Sequence, residues 1–271
     1  MSATTFYWTD DDGDHDIENP TGNNWKTAAG VAAGAGVYPG SAFADGVVFP
    51  SWAAGAPTTN INQSDSANGI VNLTVEDGYA YGGGTREAPM IWKVAGSPVW
   101  TFRGDDHGDL YLVSTAAALV TVNVLKTKSS ADALHLVPVV AITTLNVAGG
   151  NLVLDSALAG NTSAGAATIN TSLVSGVALP QVAVDCPITT VLTNRGAKVT
   201  WKSGTITALN NYSGDFLCAG SLTARTLTAS TCYGGSIDLR TGVPGTITLT
   251  AAIAYQGGAI YFDLGENLQR S

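Results

Sequence analysis

Carboxylates at alternate positions open the chain: Asp10, Asp12, Asp14 and Asp16, then Glu18. Hard oxygen ligands at this spacing suit Ca²⁺, so these four aspartates are the candidate calcium ligands. The EF-hand register needs glycine at the sixth position from Asp10, where His15 stands, and a start at Asp12 departs further. A solvated acidic loop accounts for the same run, because charge runs usually face water. A second polar cluster holds Arg103, Gly104, Asp105, Asp106, His107 and Asp109. Its Arg-Gly-Asp tripeptide is also found in cell-adhesion ligands, and paired carboxylates are the acid and base of glycoside cleavage. A polar turn between strands explains it without chemistry. His15, His107 and His135 share no metal-ligand or catalytic spacing. His135 lies between Leu134 and Leu136, which puts it on the outward face of a strand. Cys186, Cys218 and Cys232 are odd in number and widely spaced, which suits small buried hydrophobes and no disulfide framework or zinc site. No nucleophile elbow, phosphate-binding loop or dinucleotide fingerprint is present. No catalytic residue is assigned, and calcium is the one cofactor the residues suggest.

The elements that would carry these residues repeat. A small-residue turn followed by two apolar residues two apart recurs at Leu110/Leu112, Leu134/Leu136, Leu152/Leu154 and Val182/Val184. It continues at Val199/Trp201, Leu217/Ala219, Ile237/Leu239 and Ile260/Phe262. The steps between first members are 24, 18, 30, 17, 18, 20 and 23 residues. A second, Thr-rich phrase centred on Leu145, Ile169, Val191, Ile206, Leu227 and Ile247 precedes the last six of these. Alternation of period two means strands with one face inward. Two or three such strands per repeat of roughly 20 residues describe the coils of a solenoid, which bury their inner faces by stacking. An antiparallel sandwich also spaces short strands about 8–12 residues apart, but the return of one phrase at coil length favours the solenoid. Thr and Asn at matching positions then form ladders between coils. Asp155, Asp185, Asp238 and Asp263 follow the apolar pair and read as turn formers.

The expected fold is all-β, a parallel β-solenoid (β-helix) with an irregular, aromatic-rich N-terminal cap. Residues 1–60 form the cap or attachment segment and 61–271 a solenoid of about eight to ten coils. Five of six tryptophans lie within residues 1–100, as a cap over the open first coil would require. Charged residues are scarce at 12%, glycine is abundant at 32, and the hydrophobic fraction of 45% excludes disorder. The net charge of −9 argues against nucleic acid as partner. The acid is concentrated in residues 1–110, which hold 14 of the 21 Asp and Glu but 4 of the 12 Lys and Arg. The opening residues have neither the basic nor the apolar region of a secretory signal, and no apolar run of membrane-spanning length occurs. A cytoplasmic origin and no membrane partner are expected.

The opening reads FYWTDDDGDHDIENPTGNNW, then VYPGSAFADGVVFP, then INQSDSANGIVNLTVEDGYAYGGG. This order resembles the start of parallel β-helix proteins of the autotransporter-passenger kind and of bacteriophage virion proteins. The passenger resemblance implies a signal sequence and a translocating barrel, and neither is expected here. The virion resemblance implies a capsid decoration (cement) protein, non-enzymatic and trimeric. Its partners would be the major capsid protein or other virion subunits, and it would be made in the host cytoplasm. A tail fibre, spike or glycan-binding adhesin is the alternative, and exposed aromatics in a row on one coil face would mark the adhesin. A polysaccharide lyase or glycoside hydrolase is the second, marked by Asp and Arg clustered on one outer groove.

Overall fold

The computed structural model describes residues 4–18, 24–27, 31–34, 37–41, 44–58, 61–103, 108–125, 132–175, 177, 179–219, 223–240 and 247–262, and the backbone of 268–270. Among these residues there is no helix. Parallel coils stack into a β-solenoid of about eight turns. The Asp105, Asp106 and His107 part of the second polar cluster, with Gly104, and Asp263 lie outside the described residues.

Each turn contributes a strand to each of two long faces. On the first face one inward column runs Val47, Leu73, Trp100, Val122, Leu145, Ile169 and Leu192, residue on residue. On the second face Leu110, Leu134, Leu152, Val182 and Val199 stack, beside Met90, Leu112, Leu136, Leu154, Val184 and Trp201. These side chains are all buried in one continuous core. A coil alone cannot bury them, so removal of apolar surface from water depends on its two neighbours. Outside the first face, Asn146 donates to Asn123 at 3.0 Å and Asn170 donates to Asn146 at 3.2 Å, the expected ladder.

The second column of the first face is apolar from Phe49 to Val147 and then turns polar at Thr171. Thr171 Oγ1 donates to Asn194 Oδ1 at 2.7 Å, and Asn194 Nδ2 donates to Asn211 Oδ1 at 2.8 Å. Asn211 in turn donates to the carbonyls of Gly234 and Ser236. All three side chains are buried, and their bonds run into the backbone of the corner that follows. That corner is a column of glycines, Gly196, Gly214, Gly235 and Gly258, each at positive φ. A Cβ on Gly214 would overlap the carbonyl oxygen of Ala197, on Gly235 that of Gly214, and on Gly258 that of Gly235.

The inner register departs from the sequence pattern in three rungs. Leu192, not Val191, stacks on Ile169, because the register shifts between Ala166 and Thr168. Phe216, not Leu217, stacks on Ile237, and packs its ring 5.9 Å from Trp201. Leu249, not Ile247, stacks on Leu227, while Ile247 covers Arg225. In the first two places adjacent apolar residues make the parity ambiguous on paper; in the third, Ile247 and Leu249 both match the alternation.

The parallel register extends into the first 60 residues. Asp45–Phe49 is already a rung, and Thr5–Trp8 pairs parallel with it. Trp25–Thr27 pairs antiparallel on the far side of Thr5–Trp8, which ends the parallel series with a short edge carrying Lys26. Phe6, Trp8, Trp25 and Phe49 form an edge-to-face aromatic cluster beneath it, with Tyr79 tilted against Phe49. The longest step, Leu152 to Val182, accommodates the antiparallel pair Ala157–Leu158 and Asn161–Thr162 and exposes Leu173, Val174 and Leu179.

Gly235→Ala should cost about 2–3 kcal/mol, combining left-handed strain with overlap on Gly214. Urea unfolding followed by circular dichroism measures it; an unchanged midpoint would contradict the stacked corner.

Candidate functional site

The acidic loop is a piece of cap architecture. Asp10 is buried; its Oδ1 accepts the His15 backbone N–H at 2.9 Å and its Oδ2 lies 2.6 Å from His15 Nδ1. Asp14 Oδ1 accepts the Asp16 N–H and an Asn24 Nδ2 proton, and Asp16 Oδ1 accepts the Glu18 N–H. Asp12 donates its N–H to Asn24 Oδ1. Asn24, fully buried, is thus the hub that folds the run back on itself. The four aspartates share one loop, and among the described residues no group of three His, Cys, Asp or Glu has metal-binding geometry. Asp45, also buried, clamps the same end by accepting from the N–H groups of Thr4 and Gly40.

Four of the five early tryptophans, Trp8, Trp25, Trp92 and Trp100, are core residues. Trp52 is 51% exposed. Its ring stacks on Tyr7 at 6.1 Å, and Lys26 Nζ sits 5.6 Å from its centroid while paired with Asp11 at 2.7 Å. An indole fixed from two sides and open on the third is the kind of group that anchors interfaces.

The outer wall of the second face carries a second group of side chains from successive turns. Tyr111 and His135 are in register and stack at 4.3 Å with 10° between their planes. His135 Nδ1 donates to Asp155 Oδ2 at 2.7 Å, and Arg86 Nη2 donates to Asp155 Oδ1 at 3.2 Å. The Arg86 guanidinium lies 5.9 Å from the Tyr111 ring centre. Burial first, and then the nearby Asp109 carboxylate, raise the Tyr111 phenol above its ordinary pKa. Beyond His135 the same outward column shrinks to Val153, Ala183 and Thr200. The result is a depression of about 210 Å³ flanked by Asn151, Gln181 and Lys198. Asp155 holds the imidazole by its Nδ1 edge and fixes the orientation of the ring. The arrangement offers an oriented ring and donors for hydroxyl or carboxylate groups.

Sequence reasoning placed His135 outward but did not join it to its partners. The 24-residue step from Leu110 to Leu134 also aligns Tyr111 with His135, so the stack was available from the repeat. Arg86 lies outside the phrase and carried no such signal. Of the four post-pair aspartates, Asp238 does form a turn, accepting the Arg240 N–H and two guanidinium bonds that lower its pKa. Asp155 binds across turns, and Asp185 accepts from Ser156 at 3.1 Å.

Exposed aromatics do occur in a row. Tyr212 and Tyr233 stack at 4.3 Å and 1°, with Arg195 4.8 Å from the Tyr212 centre. Tyr212 meets both Tyr233 and Arg195, and Tyr233 stays 43% exposed. The row acts as a ladder that holds successive turns together. In the second polar cluster, Arg103 borders a depression of about 390 Å³ with Thr74, Glu76, Asp77 and Thr101.

Comparison of the chain with family models, with curated proteins and with solved structures finds no match.

All three cysteines are buried and unpaired. Burial pushes the thiols of Cys186 and Cys218 up to about 12. Neutral thiols therefore support the fold fully below their ordinary pKa of 9.0, and that support is lost as pH rises from 9.0 toward 12. A thiol reagent at pH 8 should label neither residue in the folded protein and both in urea, and alkaline titration should show falling thermal stability across that window. Rapid native labelling of either residue would contradict their burial.

Proposed function

We propose that the protein is a non-enzymatic virion structural protein, a capsid decoration (cement) protein that acts as a homotrimer on a phage head. The solenoid serves as a stiff strut and the acidic cap as the docking end. Exposed Trp52, held by Tyr7 and Lys26, is the observation that carries this reading, because it offers a preorganised anchor on the segment that resembles virion proteins. Burial of one indole per subunit is modest, and three linked subunits raise the effective affinity without new contacts. The partner is the major capsid protein, met through apolar burial around the indole and a basic rim facing the acidic loop. Trp52→Ala should leave the melting temperature within a few degrees of wild type and lower occupancy on purified particles at least tenfold, by quantitative gel densitometry. Removal of the protein by mild denaturant should make heads burst at lower temperature. Heads equally robust without it, or turnover of polysaccharide by the pure protein, would defeat the proposal.

The depression beside His135 favours a second reading, a glycan-binding adhesin. Its floor is apolar and its flanks are amide and ammonium donors, a combination that suits a hydroxyl-rich chain. Val153→Trp, which fills the floor, should abolish retention on host-cell polysaccharide in a pull-down while Trp52→Ala leaves it intact. Equal retention of both variants would remove this reading.

A further inference from the structure

From residue 111 onward the described residues carry five cationic side chains, and three of them are engaged within the fold. Arg195 lies over Tyr212, and Arg240 is bound to Asp238 and lies over Tyr261. Arg225 is buried, with Nη1 donating to the carbonyls of Trp201 and Ala219. The other two, Lys198 and Lys202, alternate with the buried Val199 and Trp201 and so point outward. Among the described residues no carboxylate forms an ion pair with either. The carboxylates of the adjoining turns are held elsewhere: Asp155 by His135 and Arg86, Asp185 by Ser156, and Asp215 by Ser236. Lys198 is exposed and is the only charged residue that lines the depression beside His135; Lys202 does not line it.

Two columns grade in opposite senses across that depression. The floor shrinks, turn by turn, from His135 to Val153, Ala183 and Thr200. The wall beside it lengthens from Ala133 to Asn151, Gln181 and Lys198. The columns lie two residues apart along each strand, roughly 6.6 Å, and successive turns are roughly 4.8 Å apart. The volume of about 210 Å³ is below the roughly 300–1,000 Å³ of a drug-sized pocket, which suits one sugar ring at a time. The methyl groups of Val153 and Ala183 offer a surface for the C–H face of a pyranose. A neutral sugar there leaves the Lys198 ammonium facing water, whereas a carboxylate on the ring gives it a charge-assisted partner.

We propose that this depression selects an acidic glycan, a chain of hexuronate units, with the carboxylate of one unit on Lys198 and its ring over Val153 and Ala183. The proposal rests on the glycan-binding reading above and adds the class of sugar; it is independent of docking through Trp52. The coils can receive an acidic chain because the acid of this protein is concentrated in its first 110 residues. Residues 111–271 hold 7 Asp and Glu against 8 Lys and Arg.

Isothermal titration of the full chain with an oligoglucuronate and with the cello-oligosaccharide of the same length tests this, because the two differ only in carboxylate in place of hydroxymethyl. At low ionic strength the uronate should bind about fivefold more tightly, the upper range for an exposed ion pair. Lys198→Gln should bring the two sugars within about twofold of each other, and leave the melting temperature and the affinity for the cello-oligosaccharide unchanged. Lys202→Gln, the same loss of charge on the same strand outside the depression, should keep the preference. Equal affinity of the unaltered protein for both sugars, or a preference that survives in Lys198→Gln or is lost equally in Lys202→Gln, would overturn the choice of an acidic glycan and leave the glycan-binding reading standing. Binding of neither sugar, or binding that Val153→Trp leaves intact, would overturn both.

Discussion

Rung-on-rung register is the constraint on which the molecule depends. Backbone hydrogen bonds between parallel strands fix which residue of one turn lies over which residue of the next. Since side chains alternate between inside and outside, a slip of one residue would turn an entire coil inside out. Leu152 is buried because Leu134 lies below and Val182 above, and neither neighbour is local in sequence. The same register that builds the core also stacks Tyr111 on His135 outside it. Surface chemistry here is therefore a by-product of the inner packing: whatever faces out in one turn meets its counterpart in the next.

Corners hold that register in place. Where strands continue from one face to the other, as through Gly196 to Gly214, the chain must turn within a step of 17 or so residues and still meet the turn below at hydrogen-bond distance. Only a residue without a side chain tolerates both the positive φ and the backbone beneath it. The buried Thr171, Asn194 and Asn211 ladder complements this from within. It satisfies polar groups at the bend and costs little because every member is bonded.

Much of this architecture could be read from the residues. The Gly-Gly and Gly-Asp dipeptides before apolar pairs are the corners, and the paired Leu and Val positions are the inner columns. Parity failed where two apolar residues adjoin, as at Val191 with Leu192 and Phe216 with Leu217; there only the three-dimensional corner decides which points inward. The cap was less legible. Tryptophan content marked it, but nothing in the letters separates buried Trp8 and Trp25, each of which donates its indole N–H to a backbone carbonyl, from exposed Trp52. The acidic run suggested ligands for a cation, whereas Asn24 organises it through amide bonds, a role that depends on contacts across the loop. Arg225 was invisible as an interior residue because its position depends on Gly204, one turn earlier.

The long excursion between Leu154 and Gln181 has a consequence for variation in this protein. The chain leaves the coil after Leu154, builds a small hairpin over Val113 and Val137 and supplies the rung Ala166–Thr171 of the first face. It then makes a second detour past Leu173 and Leu179 before it rejoins at Gln181 with the column unshifted. Such a departure and return is a natural socket for grafted sequence. New surface epitopes fit in the two detours on either side of that rung, lengthened or trimmed, while the rung itself keeps the winding.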